Sequence, residues 1–456
     1  MFVLVDDLGW TDLGYNGSTF YETPNLDALS RSSLQFTNAY ASSSVCSPSR
    51  AAILTGKHPA RVNITDWLPG ADPRDRKLLG PTDLAALPLK ETSLAQVLRA
   101  HGYQTLFVGK WHLGGKGHLP GQFGFQGNVG GFHMGQPPGG YYTPYDNPYL
   151  ADGPEGEYLT DRLTQEGISF LDRTAGQPFF LYLNFYTVHT PIQPNTRHLA
   201  RFKDKLERLE HHGPGERKEG GSMTKLLQDN ADYASMVFAL DENMGRLIAA
   251  LKDRGLYEDT TIIFTSDNGG LSTLQPGFSF DAPTSVVPLR GGKGWLYEGG
   301  IRVPLLIKPA HYKEEGRAVS VPVVGHDFFP TLLSLAQITA DSLQGLDGKD
   351  LSPLWQGAST LDREALFWHY PHYHGSGWAP GAAVRKGNDK LITFYETGQT
   401  ELYDLSSDIG ETHDLAGQRP EKVKDLLGEL EAWQREVNAQ MPVENTSGSR
   451  ASPHRH

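Results

Sequence analysis

The sequence predicts an α/β fold: a large sheet flanked by helices, then a smaller antiparallel sheet that carries one helix. Up to about residue 340, short β-branched or aromatic runs alternate with helical patterns. This alternation is typical of a sheet whose strands are joined by crossover helices. Beyond that point, short strand-like runs follow one another and a helical run closes the pattern, which is typical of a small antiparallel sheet.

The first part of the chain contains strands and helices in alternation. The predicted strands are Phe2–Val5, Thr105–Val108, Phe179–Phe185, Thr261–Thr265 and Pro304–Ile307. The predicted helices are Pro24–Ser32, Pro48–Thr55, Ser93–His101, Thr160–Asp172 and Gln228–Arg254. The last helix repeats apolar residues at helical spacing before Gly255, a residue type that commonly ends helices. Two glycine-bearing segments are predicted to be irregular: Gly114–Gly156, a long surface excursion, and His211–Gly221, a charged loop.

The second part of the chain predicts a separate small layer. Its strands are Leu366–Tyr370, Ala382–Arg385, Lys390–Tyr395 and Glu401–Leu405, and its helix is Pro420–Asn438. We therefore predict a first domain of residues 1–340 and a C-terminal subdomain of residues 341–442. Residues 443–456 are polar, small and proline-bearing, so we predict a disordered tail.

Composition excludes several classes of protein. The formal net charge of the 456-residue chain is −12, which argues against nucleic-acid binding because phosphate contacts need clustered Lys and Arg. No apolar run reaches the roughly 18 residues that a membrane span needs. The single cysteine excludes an internal disulfide and a cysteine-based zinc cluster. No signal peptide is visible, because the apolar stretch Phe2–Val5 is too short and lacks a cationic start.

Oxygen-bearing side chains follow two of the predicted strands. Asp6 and Asp7 come after the first strand, and Asp267 and Asn268 come after the fourth. In open α/β sheets, ligands gather at the carboxyl ends of strands. Carboxylate and amide oxygens without His or Cys favour calcium or magnesium over zinc. The alternative is that these residues are ordinary turn and cap residues, as Asp and Asn commonly are.

The only cysteine lies in a helix-start pattern. Cys46-Ser-Pro-Ser-Arg50 precedes Ala-Ala-Ile-Leu-Thr-Gly, and proline suits the first turn of a helix. A helix N-terminus favours an anion or an activated nucleophile. The alternative is a small buried apolar residue, which is the commoner role of a lone cysteine.

This cysteine pattern resembles the signature of the type I, formylglycine-dependent sulfatases, in the arylsulfatase A and N-acetylgalactosamine-6-sulfatase group of the alkaline phosphatase superfamily. Further segments match in family order over roughly residues 2–440: Asp6-Asp-Leu-Gly-Trp10, Glu22-Thr-Pro-Asn-Leu-Asp27, Gly109-Lys-Trp-His-Leu-Gly114, His189-Thr-Pro191, Ser266-Asp-Asn-Gly269, Gly291-Gly-Lys293 and Glu298-Gly-Gly-Ile-Arg-Val-Pro304. The resemblance implies an alkaline phosphatase-like fold with a large mixed sheet, and a catalytic first domain that hydrolyses sulfate esters.

The resemblance also implies the site residues and cofactors. Cys46 would be converted to 3-oxoalanine (formylglycine) by a formylglycine-generating enzyme or an anaerobic sulfatase-maturating enzyme. Calcium, with magnesium as the alternative, would be bound by Asp6, Asp7, Asp267 and Asn268, with residue 46 completing the shell. The side chains around the sulfate would be Arg50, Lys110, His112, His189 and Lys293. An acidic protein can bind an anionic sulfate only where positive charge is concentrated locally, and these side chains would supply that charge. A periplasmic or secreted location is implied as well.

Two aromatic segments are candidates for contacts with the leaving group, because aromatic rings stack on sugar faces and imidazoles bond hydroxyls. They supply Asp66, Trp67, Trp368, His369, His372 and His374. The alternative is that these aromatics fill an interdomain core. The expected substrate is a sulfated saccharide of galactose or N-acetylgalactosamine type, or an aryl sulfate.

Three other functions remain open from the sequence. A phosphodiester or phosphonate monoester hydrolase of the same superfamily can share the Cys-x-Pro-x-Arg pattern, although Gly109–Gly114 and His189–Pro191 favour sulfate. A non-catalytic glycan-binding relative is disfavoured by the complete set of matching positions. A zinc phosphatase with a Ser or Thr nucleophile is disfavoured by the oxygen-only metal set.

Overall fold

The computed structural model describes residues 1–71, 73–174, 176–210, 213–339, 343 and 345–446. Within these residues the strands are β1 Phe2–Val5, β2 Leu34–Phe36, β3 Ala39–Tyr40, β4 Leu78–Leu79, β5 Gln104–Gly109, β6 Gly127–Val129, β7 Phe179–Asn184, β8 Glu216–Glu219, β9 Ser222–Lys225, β10 Ile262–Ser266, β11 Thr273–Leu274, β12 Leu305–Lys308, β13 Arg317–Val319, β14 Val323–Val324, β15 Ala365–Tyr370, β16 Gly381–Lys386, β17 Asp389–Phe394, β18 Thr400–Asp404 and β19 Val443–Glu444. The α-helices are α1 Pro24–Ser30, α2 Cys46–Thr55, α3 Pro59–Val62, α4 Leu94–Ala100, α5 Leu159–Thr174, α6 Thr196–Glu207, α7 Ala231–Asp253, α8 Glu298–Ile301, α9 Phe328–Leu335, α10 Ser352–Trp355 and α11 Pro420–Glu436.

The main sheet has eight strands in the order β13-β2-β12-β10-β1-β7-β5-β6. Strand β1 lies near its centre and pairs in parallel with β10 and β7, whereas β12 is antiparallel to both of its neighbours. The sheet is therefore mixed, and the prediction of an α/β fold with a large mixed sheet is confirmed.

Helices cover both faces of this sheet. Side chains of a strand alternate between its two faces. Val3 and Val5 of β1 accordingly join a core cluster with helices α5 and α7, whereas Phe2 and Leu4 join a second cluster with α2, α4 and α9. A strand covered on both faces has to be apolar at every position, which explains the uninterrupted Phe-Val-Leu-Val sequence of β1.

The smaller sheet is an antiparallel meander of β15, β16, β17 and β18. Helix α11 packs on one face, where Leu426 and Leu430 cluster with apolar side chains of the sheet. The other face contributes Trp368 and Tyr370 to a cluster with Trp295 from the first part of the chain. The predicted sheet with one helix is confirmed. The predicted domain boundary at residue 340 falls on a residue outside the described part and stays a prediction.

Three predictions about irregular segments need correction. Residues Gly114–Gly156 are not a simple surface excursion, because they contribute the edge strand β6 and the buried Phe123 and Phe125. In His211–Gly221, residues 211–212 lie outside the described part, and β8 forms a hairpin with β9 rather than a loop. In the predicted tail, Val443 and Glu444 pair with β4 as strand β19, and residues 447–456 lie outside the described part.

None of the described helices combines the length and the apolar character needed to cross a bilayer.

Candidate active site

Two parallel strands bring the predicted oxygen ligands together. Strands β1 and β10 are neighbours with Val5 opposite Ser266, so the residues that follow them meet at one edge of the sheet. The backbone N–H of Asp7 donates to Asp267 Oδ1 at 3.3 Å, and Asn268 Nδ2 donates to Asp7 Oδ1 at 2.8 Å. Asp7 has a φ of +60°, a strained conformation for a residue with a side chain, and such residues concentrate at functional sites.

The donor set fits a hard cation. Asp6, Asp7 and Asp267 are buried together, at 0%, 3% and 0% exposure. Among the described residues, no hydrogen-bond donor reaches the buried oxygens Asp6 Oδ1 and Asn268 Oδ1. Buried oxygens are normally satisfied, so these two are candidates for coordination of a cation. Ligand atoms of Asp6, Asp7 and His189 also lie within 4.8 Å of one another.

Lysine side chains contact two of the buried carboxylates. Lys110 Nζ donates to Asp6 Oδ2 at 2.6 Å, and Lys293 Nζ donates to Asp7 Oδ2 at 2.8 Å. Burial opposes ionisation of Asp7, but the charges of Lys293, His189 and Lys110 outweigh it and lower the pKa of that carboxyl below its ordinary value. The predicted cations thus surround the predicted metal ligands.

Arg50 is the buried link between these groups. Its Nε donates to Asp267 Oδ2 at 2.9 Å, and its terminal nitrogen donates to the Lys110 carbonyl at 2.8 Å. The same nitrogen lies 3.2 Å from Asn184 Oδ1 at the end of β7. A planar guanidinium with several fixed donors suits this position better than a lysine would.

Cys46 is the first residue of helix α2. Val45 before it is extended, and Pro48 lies in the first turn, as the sequence predicts. The side chain is buried at 3% exposure, and its Sγ lies 3.2 Å from His112 Nδ1. The other ring nitrogen, His112 Nε2, lies 2.5 Å from the carbonyl oxygen of Leu68. Because a carbonyl can only accept, Nε2 carries the hydrogen and Nδ1 presents its lone pair to residue 46.

The surroundings of His112 keep its ring neutral and fixed. Burial, and then the charge of Lys110, hold the pKa of His112 well below its ordinary value. The residue has a φ of +55°. Gly135 packs against the ring so closely that a Cβ there would lie 2.5 Å from His112 Cε1. A neutral imidazole aimed at Cys46 is suited to accept a proton from that residue.

His189 and Lys293 line the same cavity on the side of Asp7. His189 Nε2 lies 3.7 Å from Asp7 Oδ2, and its Nδ1 is 2.7 Å from the carbonyl oxygen of Thr190. Burial and Lys293 lower the pKa of His189. Although burial opposes the charge of Lys293, Asp7 raises the pKa of that ammonium above its ordinary value, so Lys293 is the permanent cation on this side.

The cavity above these groups has a volume of about 560 Å³. Cys46, His112, His189 and Lys293 line it, whereas Arg50 and Lys110 are fully enclosed, at 1% and 0% exposure. The structure thus brings all of the predicted sulfate-facing and metal-facing side chains into one region.

The predicted leaving-group residues divide into three groups. Trp67 and His374 line the cavity. Asp66 and His372 line a neighbouring cavity of about 540 Å³ instead. Trp368 and His369 line neither.

The prediction is wrong for Trp368 and His369 for a physical reason. Both faces of strand β15 are covered. Trp368 is fully buried and its Nε1 donates to the Ala41 carbonyl. His369 bonds the Tyr395 hydroxyl at 2.7 Å and the Gln440 carbonyl at 2.9 Å. For Trp368 the alternative interpretation holds, since it joins the core between the two parts of the chain, whereas His369 is buried within the C-terminal part.

Several cavity residues were missed from the sequence. An apolar part of the cavity wall consists of Leu271, Leu274, Phe278, Phe280 and Met134. The polar side chain of Gln136 also lines the cavity. The signal that could have found them is the Phe-Ser-Phe sequence in a loop bounded by Gly277 and Pro283, since exposed aromatics in a loop often mark a binding surface.

The motif Glu298–Pro304 serves a different purpose from the other motifs. Arg302 Nε donates to Glu298 Oε2 at 2.7 Å, and Lys390 of the small sheet donates to Glu298 Oε1 at 3.0 Å. Lys390 also lies 2.8 Å from Glu411. These charges are buried, and none of them lines the cavity. The motif therefore fastens the Lys293 segment to the C-terminal sheet.

Three buried histidines predict acid sensitivity of the fold. Burial lowers the pKa of His58 to about 3, of His369 to about 4 and of His372 to about 3. In the unfolded chain these groups titrate near 6.5, so the unfolded state binds more protons between about pH 4 and 6.5. The free energy of unfolding should therefore be fully present above pH 6.5 and fall by about 1–2 kcal/mol per histidine down to pH 5.

Urea unfolding between pH 5 and 7.5 measures this dependence. His372→Asn and His369→Gln should each flatten the slope, whereas His101→Gln at an exposed helix end should not. Equal slopes in all four proteins would contradict the assignment.

Two family models match the chain, over ranges that overlap between residues 292 and 338. A family model described as Sulfatase matches residues 1–338. A second model, described as N-sulphoglucosamine sulphohydrolase, C-terminal, matches residues 292–439.

Individual relatives align over most of the chain. Human arylsulfatase A is 32% identical over 483 residues, covering 96% of this chain and 88% of the relative. Human N-acetylgalactosamine-6-sulfatase is 30% identical over 399 residues, covering 81% of this chain and 67% of the relative. Among solved structures, Ps i-CgsB in complex with k-i-k-neocarrahexaose is 28% identical with a TM-score of 0.76, covering 98% of this chain and 95% of that one.

Proposed function

Because the chain belongs to the sulfatase family and is a sulfuric ester hydrolase, we propose that it desulfates a carbohydrate of galactose or N-acetylgalactosamine type. We propose further that it uses formylglycine derived from Cys46 and a bound calcium ion. The observation that carries the proposal is the position of Cys46, which faces the Nδ1 of His112 at 3.2 Å inside a cavity also lined by Lys293 and His189.

The nucleophile is assigned to residue 46. Once it is oxidised to formylglycine and hydrated, this residue would supply one hydroxyl that attacks sulfur and loses its proton to Asp267 while the S–O bond to the alcohol breaks. Deprotonation of the second hydroxyl would then expel sulfate and reform the aldehyde. His112 would take that second proton, because its neutral Nδ1 faces residue 46. The Leu68 carbonyl holds the ring in the tautomer that this step requires.

We assign the surrounding cations to stabilise the negative charge of the sulfate ester. Lys293 and His189 line the side of the cavity next to Asp7, so we assign them to neutralise and protonate the leaving oxygen. Arg50 and Lys110 lie beneath and hold Asp267 and Asp6 in place. Preorganised charge in an enclosed site of this kind is commonly the largest catalytic contribution.

The calcium site is assigned to Asp6, Asp7, Asp267 and Asn268, with magnesium as the alternative. A bound divalent cation would supply positive charge next to residue 46. It would also contact Asp6 Oδ1 and Asn268 Oδ1, two buried oxygens that accept no hydrogen bond from the described residues.

The metal assignment predicts a calcium-dependent melting temperature. Calcium at about 100 times its Kd should stabilise metal-depleted protein by about 2.7 kcal/mol, which is about 3 °C for a chain of this length. Asn268→Ala removes a ligand oxygen and should reduce the shift. Asp12→Asn alters a buried carboxylate outside the ligand set and should keep it. An equal response in both variants, by differential scanning fluorimetry, would refute the ligand set.

The sugar assignment is supported by the relatives and by the cavity. One relative is named for action on N-acetylgalactosamine 6-sulfate, and one solved neighbour was crystallised with a neocarrahexaose. In this chain Trp67 and His374 line the cavity, as a stacking ring and an imidazole for a sugar would. A periplasmic or secreted location and a partner enzyme that modifies Cys46 belong to the same proposal.

Two measurements on the purified protein test the proposed function. Peptide mass spectrometry across Cys46 should find an aldehyde in place of the thiol. Hydrolysis of nitrophenyl sulfate should exceed hydrolysis of nitrophenyl phosphate, and sulfated galactose or N-acetylgalactosamine should be desulfated. Active enzyme with an unmodified thiol would refute the nucleophile, and a preference for phosphate or phosphonate esters would favour the phosphoesterase alternative.

A further inference from the structure

The wall of the active-site cavity differs from its floor. The floor carries Cys46, His112 and Lys293. Apolar side chains make up much of the wall: Trp67, Leu68, Pro69, Ala71, Met134, Leu271, Leu274, Phe278 and Phe280. A sulfate group therefore meets charge, whereas the alcohol to which it is attached meets an apolar surface.

Phe278 and Phe280 are the exposed aromatic side chains of this wall. They are 45% and 42% exposed, and their rings lie edge to face with centroids 5.5 Å apart. Phe278 is anchored on the turn beside His374, because a Cβ on Gly375 would lie 2.9 Å from the tip of its ring. A pair of aromatic rings left open to water at the mouth of a catalytic cavity is a surface that a ligand can cover.

The charge of the wall limits the ligand. Among the described residues that line the cavity, Lys293 is the one Lys, Arg, Asp or Glu, and Asp7 already engages it. The residue that follows Phe280 is Asp281, which is exposed and adds no positive charge to this loop. A second anionic group on the leaving alcohol would be desolvated here without a cationic partner, which is costly.

His374 is a neutral polar contact on this wall, which also carries the side chains of His133, Gln136, Thr190 and Ser376. His374 Nδ1 accepts from the backbone N–H of Ser376 at 3.1 Å, so the neutral ring carries its hydrogen on Nε2. Within the described part of the chain no hydrogen bond engages that Nε2. His374 packs directly on Gly294, where a Cβ would lie 2.1 Å from its Nδ1. A neutral N–H donor beside Lys293 suits a hydroxyl better than an additional anion.

From these contacts we infer that the cavity selects a sulfate ester whose alcohol is uncharged and has an apolar face, and that Phe278 and Phe280 determine this specificity. The inference rests on the proposed function and narrows its substrate class. It includes monosulfated neutral sugars and aryl alcohols, and it excludes alcohols that carry a second sulfate or a carboxylate near the first.

Matched substrates test the charge limit. The wild-type enzyme with residue 46 modified is assayed on four substrates. They are the 4-sulfate, the 6-sulfate and the 4,6-disulfate of N-acetylgalactosamine, and nitrophenyl sulfate. The better monosulfate should exceed the disulfate at least tenfold in kcat/KM. The relative rates on the sugar and on nitrophenyl sulfate show which kind of neutral alcohol fits better.

Variants of the aromatic pair test its role. Phe278→Ala and Phe280→Ala should each lower kcat/KM about tenfold on the preferred neutral substrate, mainly through KM. Leu89→Ala removes another exposed apolar side chain, 56% exposed and outside the cavity, and should change nothing. Phe280→Lys should narrow the gap between monosulfate and disulfate, because it supplies the missing cation.

These experiments distinguish failure of the inferred substrate specificity from failure of the proposed function. If hydrolysis depends on Cys46 but the disulfate is used as well as the monosulfate, this inference is overturned and the proposed function stands. The same holds if both Phe→Ala variants behave like Leu89→Ala. If no sulfate ester is hydrolysed in a Cys46-dependent manner, the proposed function itself fails.

Discussion

Replacing Cys46 by alanine is expected to reduce turnover of nitrophenyl sulfate by about 10⁴-fold or more, since loss of a nucleophile generally removes most of the catalysis. The substitution deletes the Sγ atom that faces His112 and leaves a methyl group in place of the thiol that would be oxidised to the aldehyde. Folding should survive, because alanine is a good helix former and the deleted group is small, so the free energy of unfolding should fall by only about 1 kcal/mol.

Steady-state kinetics together with thermal unfolding measure both parts of this expectation. Thr55→Val at the other end of α2 removes a hydroxyl hydrogen bond to Ala51 and serves as the matched control, with turnover within about twofold of wild type. Residual turnover above about one tenth in Cys46→Ala would rule out residue 46 as the nucleophile.

Cys46→Ser distinguishes a hydrate from a simple alcohol at this position. A serine hydroxyl can attack sulfur, but it has no second hydroxyl through which sulfate could be expelled. The variant should therefore accumulate a sulfated serine, visible by mass spectrometry, and should not turn over repeatedly. Rapid multiple turnover by this variant would show that water attack on sulfur suffices.

The sequence sufficed for the fold and for the charged floor of the site. An uninterrupted apolar strand such as Phe2–Val5 can only lie between two layers, and the acidic residues that follow it then reach a sheet edge. The convergence of Asp6 with Asp267, 261 residues later, follows once their strands pair in parallel. The family motifs supplied Lys110, His112, His189 and Lys293, none of which spacing alone distinguishes from ordinary lysines and histidines.

The wall of the site was harder to predict because it depends on tertiary packing. Trp368 and Trp67 look equivalent in the sequence, yet one fills the core between the two sheets and the other lines the cavity. Strand β15 is covered on both faces, and only the positions of α11 and the first domain determine that. Phe278 and Phe280 lie in a loop without periodicity, so no helix or strand pattern indicates which way they face.

Lys390→Met is expected to lower the free energy of unfolding by about 3–5 kcal/mol, because it removes the cation that contacts buried Glu411 and one of the two that contact buried Glu298. Lys390 Nζ lies 3.0 Å from Glu298 and 2.8 Å from Glu411, and the side chains are 0% exposed. Lys386→Met is the matched control. That lysine also contacts two glutamates, Glu364 and Glu429, but it is 39% exposed, so its removal should lower the free energy of unfolding far less.

The pH dependence of this loss gives the sharper test. Burial, only partly offset by Lys390, raises the pKa of Glu411 to about 7, above its ordinary value near 4.5. A raised carboxyl pKa means that the folded state binds the proton more tightly, so stability falls as the pH rises through 7. Without Lys390 the pKa of Glu411 rises further. The free energy of unfolding that Lys390→Met loses relative to wild type should therefore be larger at pH 8 than at pH 6. Adding Glu411→Gln to Lys390→Met should remove most of this pH dependence in urea unfolding. The prediction fails if the loss of unfolding free energy in Lys390→Met is independent of pH, or if it equals the loss in Lys386→Met. Either result would show that the contacts of Lys390 with Glu298 and Glu411 do not hold the Lys293 segment to the C-terminal sheet.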